Sequence, residues 1–255
     1  MIRILPLIFI MIFCSGALYA HDIQLITQHL DIKKQNKVGW QQDIIARATF
    51  SRKLDAGLQA TYLSRFNISD KRVGAFIGFS PIDRLFVEVK YLQGMGNTIL
   101  PEKSTQLTSY YTIASGLSAF GVLKNNRYAR LNLNSVNLGI EIEKIPSFII
   151  IPQVMIGNAI FKDPAQTKSI HSFGLKGVFY REKNFSVFVF GAKGREPAQV
   201  ITGVSNIMVS TVSTGAGGGY YFKSNFRGEL IFDHTDYQQI HNQFFTTTLL
   251  LNYYF

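Results

Sequence analysis

Cysteine is almost missing from this sequence: Cys14 is the only one in 255 residues. It lies within the first twenty residues. A chain cleaved beyond it carries no thiol, which excludes disulfides, thiol catalysis and cysteine-based metal sites together. Charge is also scarce, at 16% of residues against about 25% in ordinary globular domains. Beyond residue 20 no apolar run is long enough to cross a bilayer as a helix, which takes about 20 residues. No Pro/Ser-rich linker, fixed-period repeat or block of like charge divides the chain, so one large domain is the simpler reading. What remains is 47% hydrophobic, with 21 Phe and 12 Tyr. A chain that is apolar overall but never continuously so is what alternating strands with a lipid-facing side require.

The first twenty residues obey different rules. Arg3 is followed by an apolar run over residues 4–13 and then by the small residues Cys14, Ser15, Gly16 and Ala17. That order reads as a secretory signal peptide cleaved after Ala20, leaving residues 21–255 as the mature chain. Phe13 stands where an acylated cysteine is normally preceded by a small residue, which argues against a lipoprotein. A thiol-free mature chain also suits passage through an oxidising compartment.

Period-two alternation recurs along the whole mature chain. Ile44, Ala46, Ala48 and Phe50 alternate with Asp43, Arg47, Thr49 and Ser51, and Leu85, Val87, Val89 and Tyr91 alternate with Arg84, Glu88 and Lys90. The expected strands are 22–32, 40–54, 57–66, 72–80, 84–92, 105–114, 118–124, 131–142, 147–156, 170–180, 185–192, 207–222, 226–233 and 243–255. They number fourteen, with twelve as the alternative because 22–32 mixes polar and apolar residues on both parities. The implied fold is all-β: a transmembrane, up-and-down antiparallel barrel integral to an outer membrane, with short periplasmic turns, longer external loops and both termini periplasmic. A change of phase near Asn134-Ser135 predicts a bulge. Pro152, which donates nothing to a ladder, predicts a bulge or a strand end. In the last strand Leu251, Tyr253 and the terminal Phe255 share one face and resemble the C-terminal signal by which outer-membrane assembly machinery takes up its substrates.

From about Trp40 onward the chain resembles the YaiO family of outer-membrane β-barrel proteins. The matching pieces are Gly39-Trp40-Gln41-Gln42, Ser64-Arg65-Phe66, Leu100-Pro101 in the third long loop, and the aromatic C-terminus. The resemblance implies an outer-membrane barrel and brings no catalytic or binding residues with it.

Without Arg3 the formal net charge falls from +10 to +9, and the expected external loops carry +8 of it. This points to lipopolysaccharide phosphates, and not nucleic acid, as the partner of Lys33, Lys34, Lys37, Lys124, Arg127 and Arg130. The inward parity collects Arg47, Arg65, Arg84, Lys90, Lys176 and Arg227 with Asp43, Glu88, Glu229 and Asp233. Such a lining makes a mildly anion-preferring channel, or pairs internally and fills the lumen. Ser169 and His171, two residues apart on one face, are candidates for a nucleophile and its base, with no third orienting group or oxyanion donor in view. His234 and His241 near Asp233 and Asp236 fall short of a complete metal-ligand pattern. Gly215, Gly217, Gly218 and Gly219 precede Tyr220 without a following helix or Lys, so they read as room for a close neighbour and not as a phosphate cradle. No cofactor is expected, and the oligomeric state is left open. Three functions follow in order: a passive pore or uptake channel for small solutes with an anionic preference, a barrel serving envelope structure or polysaccharide traffic, and a lipid-modifying enzyme.

Overall fold

The computed structural model describes residues 20–32, 37–65, 68–96, 98–181, 184–197, 208–223, 225–238 and 242–255. Residues 1–19 of the expected signal peptide, with Lys33, Lys34, Phe66 and His241, lie outside the described residues. Fourteen strands follow one another: β1 (Ala20–Ile32), β2 (Lys37–Ser51), β3 (Leu54–Arg65), β4 (Ile68–Ile82), β5 (Leu85–Gly94), β6 (Lys103–Ala114), β7 (Leu117–Arg127), β8 (Leu131–Ile145), β9 (Phe148–Lys162), β10 (Ala165–Arg181), β11 (Phe185–Pro197), β12 (Met208–Lys223), β13 (Phe226–Tyr237) and β14 (Asn242–Tyr254). Each pairs antiparallel with its neighbours in sequence, and β1 pairs with β14 to close the barrel. The count of fourteen holds. The uncertain first strand is a full member, paired with β2 from Ala20 to Ile32.

The alternation dictates this closure. Side chains at successive positions leave opposite faces of a strand, so each strand has an inward and an outward set. The outward sets are apolar and exposed: Phe173 is 60%, Phe222 61% and Val189 64% accessible. A continuous apolar belt of this kind is untenable in water and matches a bilayer. On β10 the outward residues run Phe179, Leu175, Phe173 and then turn polar at His171 and Ser169. Aromatic residues edge the belt. Phe222 lies 5.3 Å from Tyr220 and 5.5 Å from Phe226 between ring centroids, and Tyr253 meets Phe255 at 4.7 Å. Leu251, Tyr253 and Phe255 thus belong to the lipid face.

Several local expectations are corrected. Asp55-Ala56 is not a turn: both lie in β3, and the chain reverses at Arg52-Lys53. Pro81-Ile82 ends β4, and the turn is Asp83-Arg84. The expected external loop 157–169 is mostly strand, because β9 reaches Lys162 and β10 begins at Ala165. No bulge occurs at Asn134-Ser135, where β8 keeps register with β7 and β9. The phase changes there because Leu131 and Leu133 face inward, while Leu138 and Ile140 face lipid. Strand β9 also runs through Pro152, which sits opposite Leu175, and the recorded β8–β9 pairs skip from Gly139–Gln153 to Ile142–Ile150. The missing donor therefore falls in a gap of the ladder.

Candidate functional site: the lumen

The half of the lumen beside the chain termini is a charged wall. Arg47 donates to Asp55 at 2.9 Å and to Glu88 at 2.8 Å, and Lys90 Nζ stands 3.8 Å from the other Glu88 oxygen. Both cations lie over the Phe76 ring, at 4.8 and 5.2 Å, a geometry that adds attraction from the ring face. Across the barrel, Arg227 pairs with Glu229 at 2.9 Å, and Lys176 Nζ sits 4.0 Å above the Phe188 ring. Tyr110 donates to Glu141. Phe188 and Phe190 stack along the wall with centroids 6.5 Å apart. They can lie flat because their cross-strand partners are Gly217 and Gly215, where an added Cβ would meet the rings at 2.6 and 2.3 Å. This is the close neighbour that the glycine run makes room for.

Midway up, Asp43 is buried and accepts from Gln41 at 2.8 Å, from Gln59 at 3.1 Å and from Thr61. Arg72 Nε donates to Thr61 at 3.1 Å. On the neighbouring wall Lys124 points inward, with Arg72 and Lys90 as the nearby charges that repel it. Lys124 forms no ion pair among the described residues.

The half of the lumen away from the chain termini is built differently. The carboxylate of Asp70 on β4 accepts three backbone amides, from Thr98 at 3.0 Å, Ile99 at 2.5 Å and Leu100 at 2.7 Å. That grip turns the β5–β6 connection inward and packs Ile99 and Leu100 on Leu63 of the wall. A second apolar cluster joins Tyr128, between β7 and β8, to Leu131, Ala159, Phe161, Ile170 and Met208. Leu131, Ala159 and Val209 are fully buried at 0% and Phe161 is at 1%. Burial pushes the Tyr128 phenol up to about 12, against the opposing pull of Arg72. Lys162 Nζ donates to the carbonyls of Tyr128 and Ala129 at 2.9 and 3.0 Å and closes the loop from outside. Phe244 meets Tyr237 edge-on at 4.7 Å and carries Arg65 at 5.3 Å over its ring.

Nine of the ten expected lumen residues take inward register: Asp43, Arg47, Arg65, Glu88, Lys90, Lys176, Arg227, Glu229 and Asp233. Arg84 does not: β5 starts one residue later, so Arg84 is exposed in the β4–β5 turn. Lys124 is also corrected, because β7 continues to Arg127 and turns this residue from external loop to inward wall. Arg127 and Arg130 are exposed at the outer end. Sequence reasoning missed Arg72, Lys168, Asp22, Asp55, Asp70, Glu141 and Glu196 as inward groups. Extending the strands by their own parity would have found Asp55, Asp70, Lys168 and Glu196, while Asp22, Arg72 and Glu141 already stand within expected strands on the inward parity. With them included, the two signs come close to balance, and the simple excess of base over acid disappears.

Ser169 and His171 do share the outer face of β10, both exposed, opposite Asn158 and Ile156. Neither has a carboxylate as a cross-strand partner. His234 faces outward against Phe245 at 4.6 Å, away from the inward Asp233, and no metal-binding cluster occurs among the described residues. Three of the four stretches that carry the YaiO resemblance lie close together, since Gly39 pairs with Arg65 and Leu100 packs on Leu63; the aromatic C-terminus is at the other end of the barrel.

A closed, lipid-belted barrel with a side-chain-lined interior defines the class as that of integral outer-membrane β-barrels. No family model and no curated protein matches the chain by sequence. Solved structures match over nearly its full length. One is a loop L8 deletion mutant of OmpT from Vibrio cholerae, at TM-score 0.56 and 11% identity, covering 94% of this chain and 100% of that one. Another is the CymD monoaromatic hydrocarbon channel, at TM-score 0.58 and 9% identity, covering 92% and 88%. A third is an anion-selective porin from Comamonas acidovorans, at TM-score 0.52 and 8% identity, covering 92% and 98%. At these identities the likeness is one of fold.

Proposed function

We propose that this protein is an outer-membrane channel for small hydrophilic solutes, narrowed at its external mouth by apolar packing and favouring anions at a constriction marked by Lys124. The reading rests on one observation: Lys124 stands inward with Arg72 and Lys90 as its neighbouring charges, while the nearby carboxylates are engaged elsewhere. Asp43 is held by Gln41, Gln59 and Thr61, Asp70 by the loop amides, and Glu88 by Arg47 and Lys90. A passing anion therefore meets a cation without an ion-pair partner among the described residues, beside carboxylates of Asp43, Asp70 and Glu88 that are already engaged. Channel and porin names among the fold neighbours agree with this role. Insertion by the outer-membrane assembly machinery through the Leu251, Tyr253 and Phe255 face, export by the N-terminal segment and membership of the YaiO family belong to the same proposal.

The test is planar-bilayer conductance of the refolded barrel, with reversal potentials read in a salt gradient. Steady steps that favour anions are expected. Lys124→Gln should lower the anion-to-cation permeability ratio by about sixfold, the effect on both ions of removing one charge at about 8 Å in water. A silent barrel, or a ratio indifferent to the substitution, overturns the reading.

A further inference from the structure

Above the apolar belt, the outer wall of β6 to β10 carries an unbroken polar row. Thr105, Asn125, Asn134, Asn158 and Ser169 are successive register partners on five adjacent strands. Asn125 donates to Asn134 within the row. Directly beneath it run Leu107, Leu123, Val136 and Ile156. The two rows line an outward-facing depression of about 740 Å3.

Each end of this patch carries a pair of basic residues. Lys103 and Arg127 are direct cross-strand partners, and so are His171 and Arg195; all four side chains are exposed. Like charges placed opposite each other, as Lys103 and Arg127 are, destabilise a sheet. None of the four forms an ion pair among the described residues. Each stands ten or eleven residues from the periplasmic end of its strand, so the two pairs lie at one level of the membrane. An amide and hydroxyl row at that level matches sugar hydroxyls, Lys103, Arg127 and Arg195 match phosphates with His171 as a further donor, and the apolar row below matches acyl chains.

We propose that this wall binds the phosphorylated glycolipid of the outer leaflet, with lipid phosphates at the Lys103–Arg127 and His171–Arg195 pairs and sugar on the asparagine row. The pairs are about 20 Å apart, four strand spacings, which is farther than one disaccharide reaches. Each therefore serves a phosphate of its own lipid. The site is on the wall and not in the lumen, so it stands or falls apart from conduction.

Native mass spectrometry of the refolded full barrel tests it, with bisphosphorylated lipid A, the same lipid dephosphorylated, and inorganic phosphate as probes. Adducts are expected with lipid A and not with the dephosphorylated lipid. Lys103→Gln combined with Arg127→Gln and Arg195→Gln should weaken binding about tenfold or more, while Lys53→Gln in a periplasmic turn leaves it unchanged. Asn125→Leu with Asn158→Leu, which makes those positions ordinary lipid-facing ones, should weaken it several-fold and serves as an independent test should the triple variant fail to fold. Equal binding of the dephosphorylated lipid overturns the proposal, as does displacement of lipid A by inorganic phosphate alone. So does an oligomer of this chain that the asparagine variant dissociates with lipid retained.

Discussion

The two halves of the lumen are built on opposite principles. The half beside the chain termini keeps its aromatic rings flat on the wall and its charges in pairs, such as the part-exposed Arg47, at 31% side-chain exposure, between Asp55 and the buried Glu88. The opposite half buries Leu131, Ala159, Phe161 and Val209 to 1% or less and brings a loop inward on a buried carboxylate. Water screens the first arrangement and is absent from the second, so the same kind of perturbation should cost very different amounts in the two places. The mouth is where free energy is concentrated. The base is where charge is kept accessible.

Phe161→Ala should produce the largest effect, because it opens a cavity in a fully buried cluster and costs about 3–5 kcal/mol. A lowered unfolding temperature, read by the heat-modified mobility of the barrel, checks it. If the loss is under about 1 kcal/mol, the apolar mouth is not the packed element described here. Asp70→Ala comes next. It leaves three loop amides without their acceptor, at about 1–3 kcal/mol for each one that stays buried, and should release the 95–102 segment. Larger or noisier conductance steps, together with new protease cuts near Met95 to Leu100, are the expected signs. Unchanged conductance would mean that the latch does not control the path.

In the charged half Arg47→Ala leaves Asp55 without its cation, but Lys90 still faces the buried Glu88, and the expected loss is about 1–2 kcal/mol, readable as a shifted urea midpoint. A loss equal to that of Phe161→Ala would erase the distinction between the halves. Lys53→Ala sets the floor of the scale. Its contact with Asp83 is 3.9 Å long between exposed side chains, and stability should stay within about 0.5 kcal/mol.

Much of the barrel was legible along the chain. The strand number, the lipid face of β14 and most inward charges follow from parity, because lipid and lumen select on alternate residues. The errors gathered where strands outlast their apolar stretch. Lys124 was assigned to a loop because the alternation fades after Leu123, yet backbone pairing carries β7 on to Arg127. Asp55 was placed in a turn for the same reason, and Arg84 was placed in the wall when the ladder starts one residue later. Hydrogen bonding extends strands past the membrane, where the sequence no longer needs to alternate.

The amino-acid pattern by itself determined that the chain must close into a membrane barrel, since an apolar period of two with no helical span leaves no other way to satisfy the backbone in lipid. Only the tertiary structure decided what fills that barrel. Leu131 and Leu133 look no different in sequence from Leu138, yet the first two plug the mouth and the last faces lipid. Which carboxylates are taken by loop amides, and which cation is left alone, depends on residues brought together from distant strands. Asp70 with Leu100, Arg47 with Glu88 and Lys124 with Arg72 are such meetings.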